Sequence, residues 1–224
     1  MGKIIVIDGL DGSGKATQTK ILTEKLKELG YNVRNASFPA YEHRSSELVK
    51  MYLSGEISEN PNDINPYAAS VFYACDRYIQ FQTNLKWFME SAEDDILICD
   101  RYTSANILHQ GAKIEEVSDR RKYYDWCYSF EKLIGVPKEF MTIMLLVNPE
   151  ISQELMKDCD KLKVSNDIHE NNLQYLKDCY SKASAAAVYN GWYSIDCSPE
   201  GAMSSIEEIS GEILELVLNK LNKG

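Results

Sequence analysis

The sequence predicts an α/β fold of three layers, in which helices cover both faces of a five-stranded parallel sheet. Short apolar runs rich in Val, Ile and Leu alternate along the chain with longer amphipathic stretches. These runs are continuous rather than alternating, which is typical of strands buried on both faces. Since a helical pattern separates each run from the next, the strands need right-handed crossovers and should lie parallel.

Strands are predicted at five places along the chain. The clearest are Ile4–Ile7, Ile96–Cys99 and Met141–Val147, and the weaker ones are Asn32–Phe38 and Trp192–Asp196. Helices are predicted in the intervals, at Gly14–Leu29, Ser45–Leu53, Pro66–Met89, Ser118–Leu133, Asp167–Tyr189 and Ser204–Leu221. The stretch at about residues 156–172 is highly polar, and it is either a solvated loop or a flap over a charged site.

Length and charge restrict the class of protein. The 224 residues suit a single domain, residues 1–224, that buries a core without disulfides. The formal net charge of −10 argues against binding to a nucleic-acid polymer. Apolar runs are too short to span a membrane, and we expect none to do so. The six cysteines are scattered, without a C-x-x-C pair or a secretory signal, so we expect reduced thiols and a cytoplasmic protein.

A glycine-rich motif follows the first predicted strand and matches the pattern G-x-x-x-x-G-K. Glycines let the backbone wrap around a phosphate, the following helix adds its positive end, and the lysine adds a point charge. A chance lysine beside a glycine-rich turn is the alternative, but the preceding strand and following helix favour a phosphate site. The loop predicted to bind a nucleotide phosphate comprises Gly9, Leu10, Asp11, Gly12, Ser13, Gly14, Lys15, Ala16 and Thr17.

The residue after the motif lysine departs from the usual pattern. Ala16 stands where Ser or Thr would offer a hydroxyl to Mg²⁺, and Thr17 points about 100° further round the helix. We therefore expect coordination of Mg²⁺ through water, helped by Asp11 and by Asp100 on a neighbouring strand.

Further polar and aromatic residues should meet at the carboxyl ends of the strands, where ligands bind in open α/β sheets. Tyr73 and Arg77 lie four apart on a predicted helix and share one face. That face offers an aromatic plane to a base and a guanidinium to an anion, or it is a core aromatic beside a surface ion pair.

The segment Asp100-Arg101-Tyr102 ends a predicted strand. An Asp–Arg pair there suits a site where phosphate, metal and acceptor meet, although a simple surface ion pair is the alternative. Side chains at a spacing of three and four residues follow, and they can hydrogen-bond a pyrimidine edge or a sugar hydroxyl: Asn106, His109 and Gln110.

The motifs IDGLDGSGKATQ, FPAY, FYACDR and DRYTSANILHQ, in this order, resemble those of the thymidylate kinase family. The resemblance extends from Lys3 to about Tyr180. It implies a P-loop kinase fold with a small flap (LID) at about residues 156–172. It also implies transfer of the γ-phosphoryl group of ATP to dTMP, with Mg²⁺ as cofactor and ATP and dTMP as partners.

The resemblance implies roles for single residues. Lys15 and the loop amides would hold ATP, while Asp11 would help to place the metal. Arg101 would bind the acceptor phosphate beside Asp100, and Glu170 belongs to an acidic pair after the flap that we take as a further metal candidate. Around the acceptor, Phe38 and Tyr41 would line the pocket, Tyr73 would stack on thymine, Arg77 would contact its polar edge, and Asn106 and His109 would check sugar and base.

Two departures from the family bear on rate and selectivity. The family places a catalytic arginine in the P-loop or in the flap, but here the P-loop has Gly12 and residues 156–172 contain lysines instead. We take Lys163 as the catalytic candidate, although an ammonium lacks the planar fork of a guanidinium. Losing an arginine finger costs on the order of 10³-fold in rate, so turnover could be slow. His109 stands where many members carry tyrosine, which leaves selectivity for deoxyribose open.

Other functions remain compatible with these motifs. The chain could be a kinase of another pyrimidine nucleotide or of a deoxynucleoside, or a nucleotide-binding homologue with weak or no turnover. The predicted helix Pro66–Met89 carries more large apolar residues than one sheet face needs, which predicts burial against a second copy and a homodimer.

Overall fold

The computed structural model describes residues 1–157 and 173–223. Five strands form one parallel sheet, as the sequence predicts. Their bounds are Lys3–Gly9 (β1), Val33–Ser37 (β2), Ile96–Asp100 (β3), Met141–Leu146 (β4) and Tyr193–Asp196 (β5). From one edge of the sheet to the other they lie in the order β2-β3-β1-β4-β5.

Helices connect the strands and cover the sheet. Their bounds over the described residues are Lys15–Glu28 (α1), Glu47–Leu53 (α2), Pro66–Gln80 (α3), Lys86–Met89 (α4), Thr103–His109 (α5), Val117–Ile134 (α6), Pro149–Lys157 (α7), Leu173–Asn190 (α8) and Ile206–Leu221 (α9). Among these helices, none is both long and apolar enough to cross a lipid bilayer.

Two helical segments differ from the sequence prediction. The single helix predicted over Pro66–Met89 is interrupted by a π-helical turn, Phe81–Leu85, between α3 and α4. Helix α7 was not predicted. The predicted start of the next helix and residues 158–172 of the proposed flap, with Lys163 and Glu170, lie outside the described residues.

Alternate side chains of the central strand face opposite layers. Ile5 and Ile7 of β1 lie in one apolar cluster with Leu22 of α1 and Ile213 of α9. Ile4 and Val6 belong to a second cluster, with residues of α4 and of the π-helical turn. A third cluster joins β4 to α5, α6 and α8 through Met144, Ile107, Tyr123 and Leu176. Burial on both faces explains why the strands read as continuous apolar runs.

The register of the sheet brings the carboxyl ends of three strands together. Ile7 of β1 and Ser37 of β2 both pair with Asp100 at the end of β3. The loop after β1, the Phe38 segment after β2 and Arg101 after β3 therefore begin side by side at one edge, where the site is built.

Candidate active site

The glycine-rich loop follows β1 and makes close backbone contacts. Gly9 has φ +153°, and a Cβ there would lie 2.5 Å from the carbonyl oxygen of Leu145 on β4 and 2.8 Å from Ser13 Oγ. Gly14 has φ +83° in the left-handed region and caps the start of α1. Both positions need glycine, because a side chain would clash at the first and be strained at the second.

Lys15 folds back over this loop. Its side chain is buried, and Nζ donates a hydrogen bond to the Leu10 carbonyl at 2.7 Å and lies 3.8 Å from Asp11 Oδ1. Burial and then the charge of Arg101 lower the pKa of Lys15. Two cations therefore lie close enough to destabilise each other, an arrangement that a bound polyanion would relieve.

Arg101 faces the glycine-rich loop from the end of β3. Its Nη2 forms an ion pair with Asp11 Oδ1, and its Nη1 lies 3.1 Å from Nε2 of His109. The backbone has φ +65°, an uncommon conformation for a residue other than glycine. Burial alone would raise the pKa of Asp11, but the charges of Arg101 and Lys15 overcome it and hold that pKa well below its usual range. Asp11 is therefore ionised at neutral pH.

Asp8 is a site carboxylate that the sequence motifs did not single out. It lies fully buried on β1, where Oδ1 accepts from the Gly9 amide at 2.8 Å and Oδ2 accepts from Ser104 Oγ at 2.5 Å. Burial raises its pKa, although the charge of Arg101 opposes the shift. Its position inside the motif IDGLDG was the signal that could have identified Asp8 as a site residue. The contact with Ser104 could not be seen in the sequence, because the two residues are far apart in the chain.

Helix α5 carries two of the predicted acceptor residues, Asn106 and His109, and both are buried, as is Gln110 just after the helix. Asn106 Nδ2 donates to the Ser70 carbonyl of α3 at 3.4 Å. Gln110 follows α5, and its amide lies within 3.2 Å of the Tyr52 hydroxyl. The Tyr73 ring of α3 lies edge-on to Tyr52, with 6.3 Å between centroids. Tyr73, Asn106 and Gln110 therefore lie along one wall formed by α2, α3 and the end of α5, whereas His109 contacts Arg101 and Tyr175.

Arg77 occupies a different environment from its predicted one. It is almost fully buried, with Nε 3.1 Å from Glu131 Oε2 and Nη2 in an ion pair with Oε1. Thr103 also donates to Glu131 Oε2, at 2.7 Å, and Arg77 Nη1 donates to the Tyr102 carbonyl at 3.4 Å. Burial opposes ionisation of Arg77, but Glu131 outweighs it and raises the pKa. A base could contact only the remaining guanidinium N–H groups.

The segment after β2 separates Phe38 from Tyr41. Phe38 is buried and stacks with Phe81, with 6.4 Å between ring centroids, whereas Tyr41 is 49% exposed. Asp76, which the sequence motifs did not single out either, holds this segment. Its carboxylate accepts from the Ala40 amide at 2.9 Å and from the Ser45 hydroxyl.

The site offers carboxylate oxygen to a metal. Over residues 1–157 and 173–223, no cluster of three or more His, Cys, Asp or Glu side chains could hold a metal ion. However, Asp100 Oδ1 is buried without a hydrogen-bond partner in the described part of the chain. Mg²⁺ commonly keeps several waters and binds one or two carboxylates plus substrate phosphates, so Asp11 and Asp100 fit it.

Comparison with known proteins agrees with this geometry. The family model described as Thymidylate kinase matches residues 7–212. A thymidylate kinase of Exiguobacterium sp. is 27% identical and covers 100% of this chain and 97% of its own length. One from Plasmodium falciparum is 25% identical over 96% of this chain and 90% of its own. The solved structure of thymidylate kinase from Candida albicans superposes with a TM-score of 0.68 at 20% identity, covering 100% of this chain and 94% of that one.

The five-stranded parallel sheet, the glycine-rich loop and the arginine that faces it occur here in one chain. The family model covers nearly all of this chain, and members of that family are ATP-dependent nucleoside monophosphate kinases. This match agrees with the kinase fold and with the anion-binding loop. The chain therefore belongs to the thymidylate kinase family.

Proposed function

We propose that this protein transfers the γ-phosphoryl group of ATP to dTMP, giving ADP and dTDP. The observation that carries the proposal is the guanidinium of Arg101, which lies against Asp11 of the glycine-rich loop. The loop and Arg101 can therefore bind the phosphates of two nucleotides at one point of transfer.

The donor side is assigned to the loop between β1 and α1. The backbone amides from Gly9 to Lys15, the start of α1 and the Lys15 ammonium would bind the outer phosphates of ATP. Asp11 and Asp100 would hold Mg²⁺, partly through water, and the ion would neutralise charge on the phosphates. Ala16 and Thr17 are exposed at the start of α1, so we assign them backbone contacts only.

The acceptor side is assigned to the opposite wall. Arg101 would exchange part of its contact with Asp11 for the acceptor phosphate, whose oxygen is already a nucleophile and needs no strong general base. Tyr73 would stack on the base, and Asn106, His109 and Gln110 would contact base and sugar. Phe38 and the exposed Tyr41 would line the pocket, and Arg77 would contact the polar edge of the base through the guanidinium N–H groups that Glu131 and Tyr102 leave.

Several further features belong to the same proposal. Lys163 would neutralise charge from the flap at residues 156–172, and Glu170 would assist the metal. The chain would act as one domain in the cytoplasm. It would also form a homodimer through the α3–α4 face, where Tyr78 and Trp87 are 39% and 62% exposed. Sedimentation of the protein at micromolar concentration as a monomer would contradict the dimer.

A coupled assay of ADP release tests the proposed reaction. ATP and Mg²⁺ would be combined with dTMP, thymidine, dUMP, UMP or CMP, and we expect dTMP to be the best acceptor. The Candida albicans enzyme is described as having a broad substrate specificity, so the related nucleotides should be assayed over the same range of concentrations as dTMP.

Lys15→Ala should abolish the activity, because it removes the buried cation over the loop. Lys20→Ala is the matched control, since Lys20 is exposed on the same helix and should leave the rate unchanged. Faster turnover of thymidine than of dTMP would indicate a nucleoside kinase. Binding of both nucleotides without any dTDP over hours would indicate a regulator that has lost turnover.

A further inference from the structure

His109 lies at the end of α5 and touches two other parts of the site. Its Nε2 atom lies 3.1 Å from Nη1 of Arg101. The Tyr175 ring stacks on the imidazole, with 6.4 Å between centroids and 23° between planes. The Tyr175 hydroxyl also donates to the His109 backbone carbonyl at 2.8 Å. His109 is 8% exposed and Tyr175 is 4% exposed, so both are fixed by their surroundings.

The chemistry of the two side chains determines the direction of the hydrogen bond. A guanidinium has donors only, so Nε2 of His109 must accept and the ring proton must be on Nδ1. Arg101 is therefore held on both branches, with Nη2 on Asp11 and Nη1 on His109. Without His109, the guanidinium would be free to turn both branches onto the Asp11 carboxylate, because a bidentate pair is the geometry that a carboxylate favours.

We infer that His109 is a positioning residue for Arg101, and that Tyr175 of α8 holds His109 in place. The inference rests on the proposed function, because Arg101 binds the acceptor phosphate there, and it gives His109 a second role besides its contact with sugar and base. It also connects α8, whose first turn contains Tyr175, to the group that binds the acceptor phosphate. If the Arg101 guanidinium is held in position, the protein avoids the loss of rate that a small misplacement of this group would cause at the point of phosphoryl transfer.

A double-mutant cycle between His109 and Arg101 tests the inference in the dTMP kinase assay. His109→Phe keeps a ring for Tyr175 but removes the acceptor, and we expect kcat to fall roughly 10-fold with the KM for ATP unchanged. Arg101→Ala should reduce kcat by about 10²-fold or more. If His109 acts through Arg101, adding His109→Phe to Arg101→Ala should cause no further loss.

Two substitutions of similar size separate positioning from packing. His109→Gln places an oxygen near the position of Nε2 and should keep most of the kcat that His109→Phe loses, whereas His109→Leu fills a similar volume without a hydrogen-bond acceptor and should not. A residue that acted only by filling space would respond alike to both substitutions.

Tyr175→Phe should reduce kcat less than His109→Phe does, because it keeps the stacked ring and removes only the hydroxyl. Tyr128→Phe is the matched control. It also removes a hydroxyl that donates inside the fold, but to Glu139 at 2.5 Å rather than to the backbone of His109. We expect its kcat to match that of the unaltered protein.

The possible results are distinguishable. Additive losses in the cycle, equal rates for the Gln and Leu variants, or an unchanged rate for His109→Phe would each overturn the inference while leaving the kinase activity intact. A protein without altered residues that forms no dTDP would overturn the proposed function, and this inference with it.

Discussion

Arg77 and Glu131 form a buried ion pair between α3 and α6, with side chains 1% and 4% exposed. Removing one partner of such a pair leaves an uncompensated charge in the interior, which costs more than the pair itself contributes. Thr103 adds a hydrogen bond to Glu131, and the Tyr102 carbonyl accepts one from Arg77. The pair therefore fixes α3 and α6 against the start of α5, the helix that carries Asn106 and His109.

Glu131→Ala should destabilise the protein by about 3–5 kcal/mol, because Arg77 would remain charged and buried. Urea unfolding followed by circular dichroism measures the change. Replacing both residues together, as Arg77→Met with Glu131→Leu, should recover much of the lost free energy of unfolding.

The matched control for Glu131 is Glu47, which pairs with Lys50 at 2.8 Å on the surface. Glu47→Ala should change the free energy of unfolding by less than about 1 kcal/mol. Equal effects of the Glu131 and Glu47 substitutions would show that the buried pair has no special role.

At the scale of single elements, the turn from β1 to α1 forms the glycine-rich loop of the site. Its conformation requires the backbone at Gly9 to lie close to β4. Gly9→Ala should destabilise the protein by about 1–3 kcal/mol, since the new methyl group would meet the Leu145 carbonyl and the backbone is unsuited to a side chain. Displacement of the loop should also weaken ATP binding, which equilibrium titration with the nucleotide measures.

Gly211 provides the opposite case within helix α9. A Cβ there meets no atom within 4 Å, so Gly211→Ala should stabilise the protein by about 1 kcal/mol through helix propensity. Destabilisation by both substitutions to a similar extent would contradict the argument from close approach.

Sequence periodicity predicted the strands well and the helices with two differences. Strands β1, β3 and β4 were found because continuous Val, Ile and Leu runs mark burial on both faces. The edge strands β2 and β5 gave weaker signals, because only some of their side chains are buried. Helix α7 was missed, although Asn148 and Pro149 were a usable signal: the Asn148 side chain accepts from the Glu150 amide at 2.9 Å and proline suits the first helical turn. The π-helical turn after α3 was also missed, because the hydrophobic pattern of the sequence does not distinguish it from the α-helix on either side.

For the whole molecule, the buried cysteines predict how stability depends on pH. Burial raises the pKa of the Cys127 and Cys179 thiols to about 12, while thiols in an unfolded chain ionise near pH 8.5. Between these values the folded state holds more protons than the unfolded state, so the free energy of unfolding falls as pH rises. We expect about 1 kcal/mol less per buried thiol at pH 9.5 than at pH 7, measured by urea unfolding in reducing buffer.

Lys113 makes the free energy of unfolding change with pH in the opposite direction. Burial lowers its pKa to about 8, so between pH 8 and its unfolded value the unfolded state holds the extra proton and stability rises with pH. The pKa of Lys15 is lowered as well, but four buried thiols, Cys99, Cys127, Cys179 and Cys197, oppose these two lysines, so the net slope should be negative. Cys179→Ala should make the slope shallower and Lys113→Met should make it steeper. A flat profile for the unaltered protein would contradict the assignment.

The sequence by itself determined the order of the elements, the parallel sheet, the glycine-rich loop and the family to which the chain belongs. These features depend on local periodicity and on motifs whose residues are close together in the chain. It could not show that Arg77 pairs with Glu131, that Asp8 meets Ser104, or that Arg101 is held between Asp11 and His109. Such contacts join residues 8 to 96 positions apart, and only the packing of the sheet and helices decides which side chains meet.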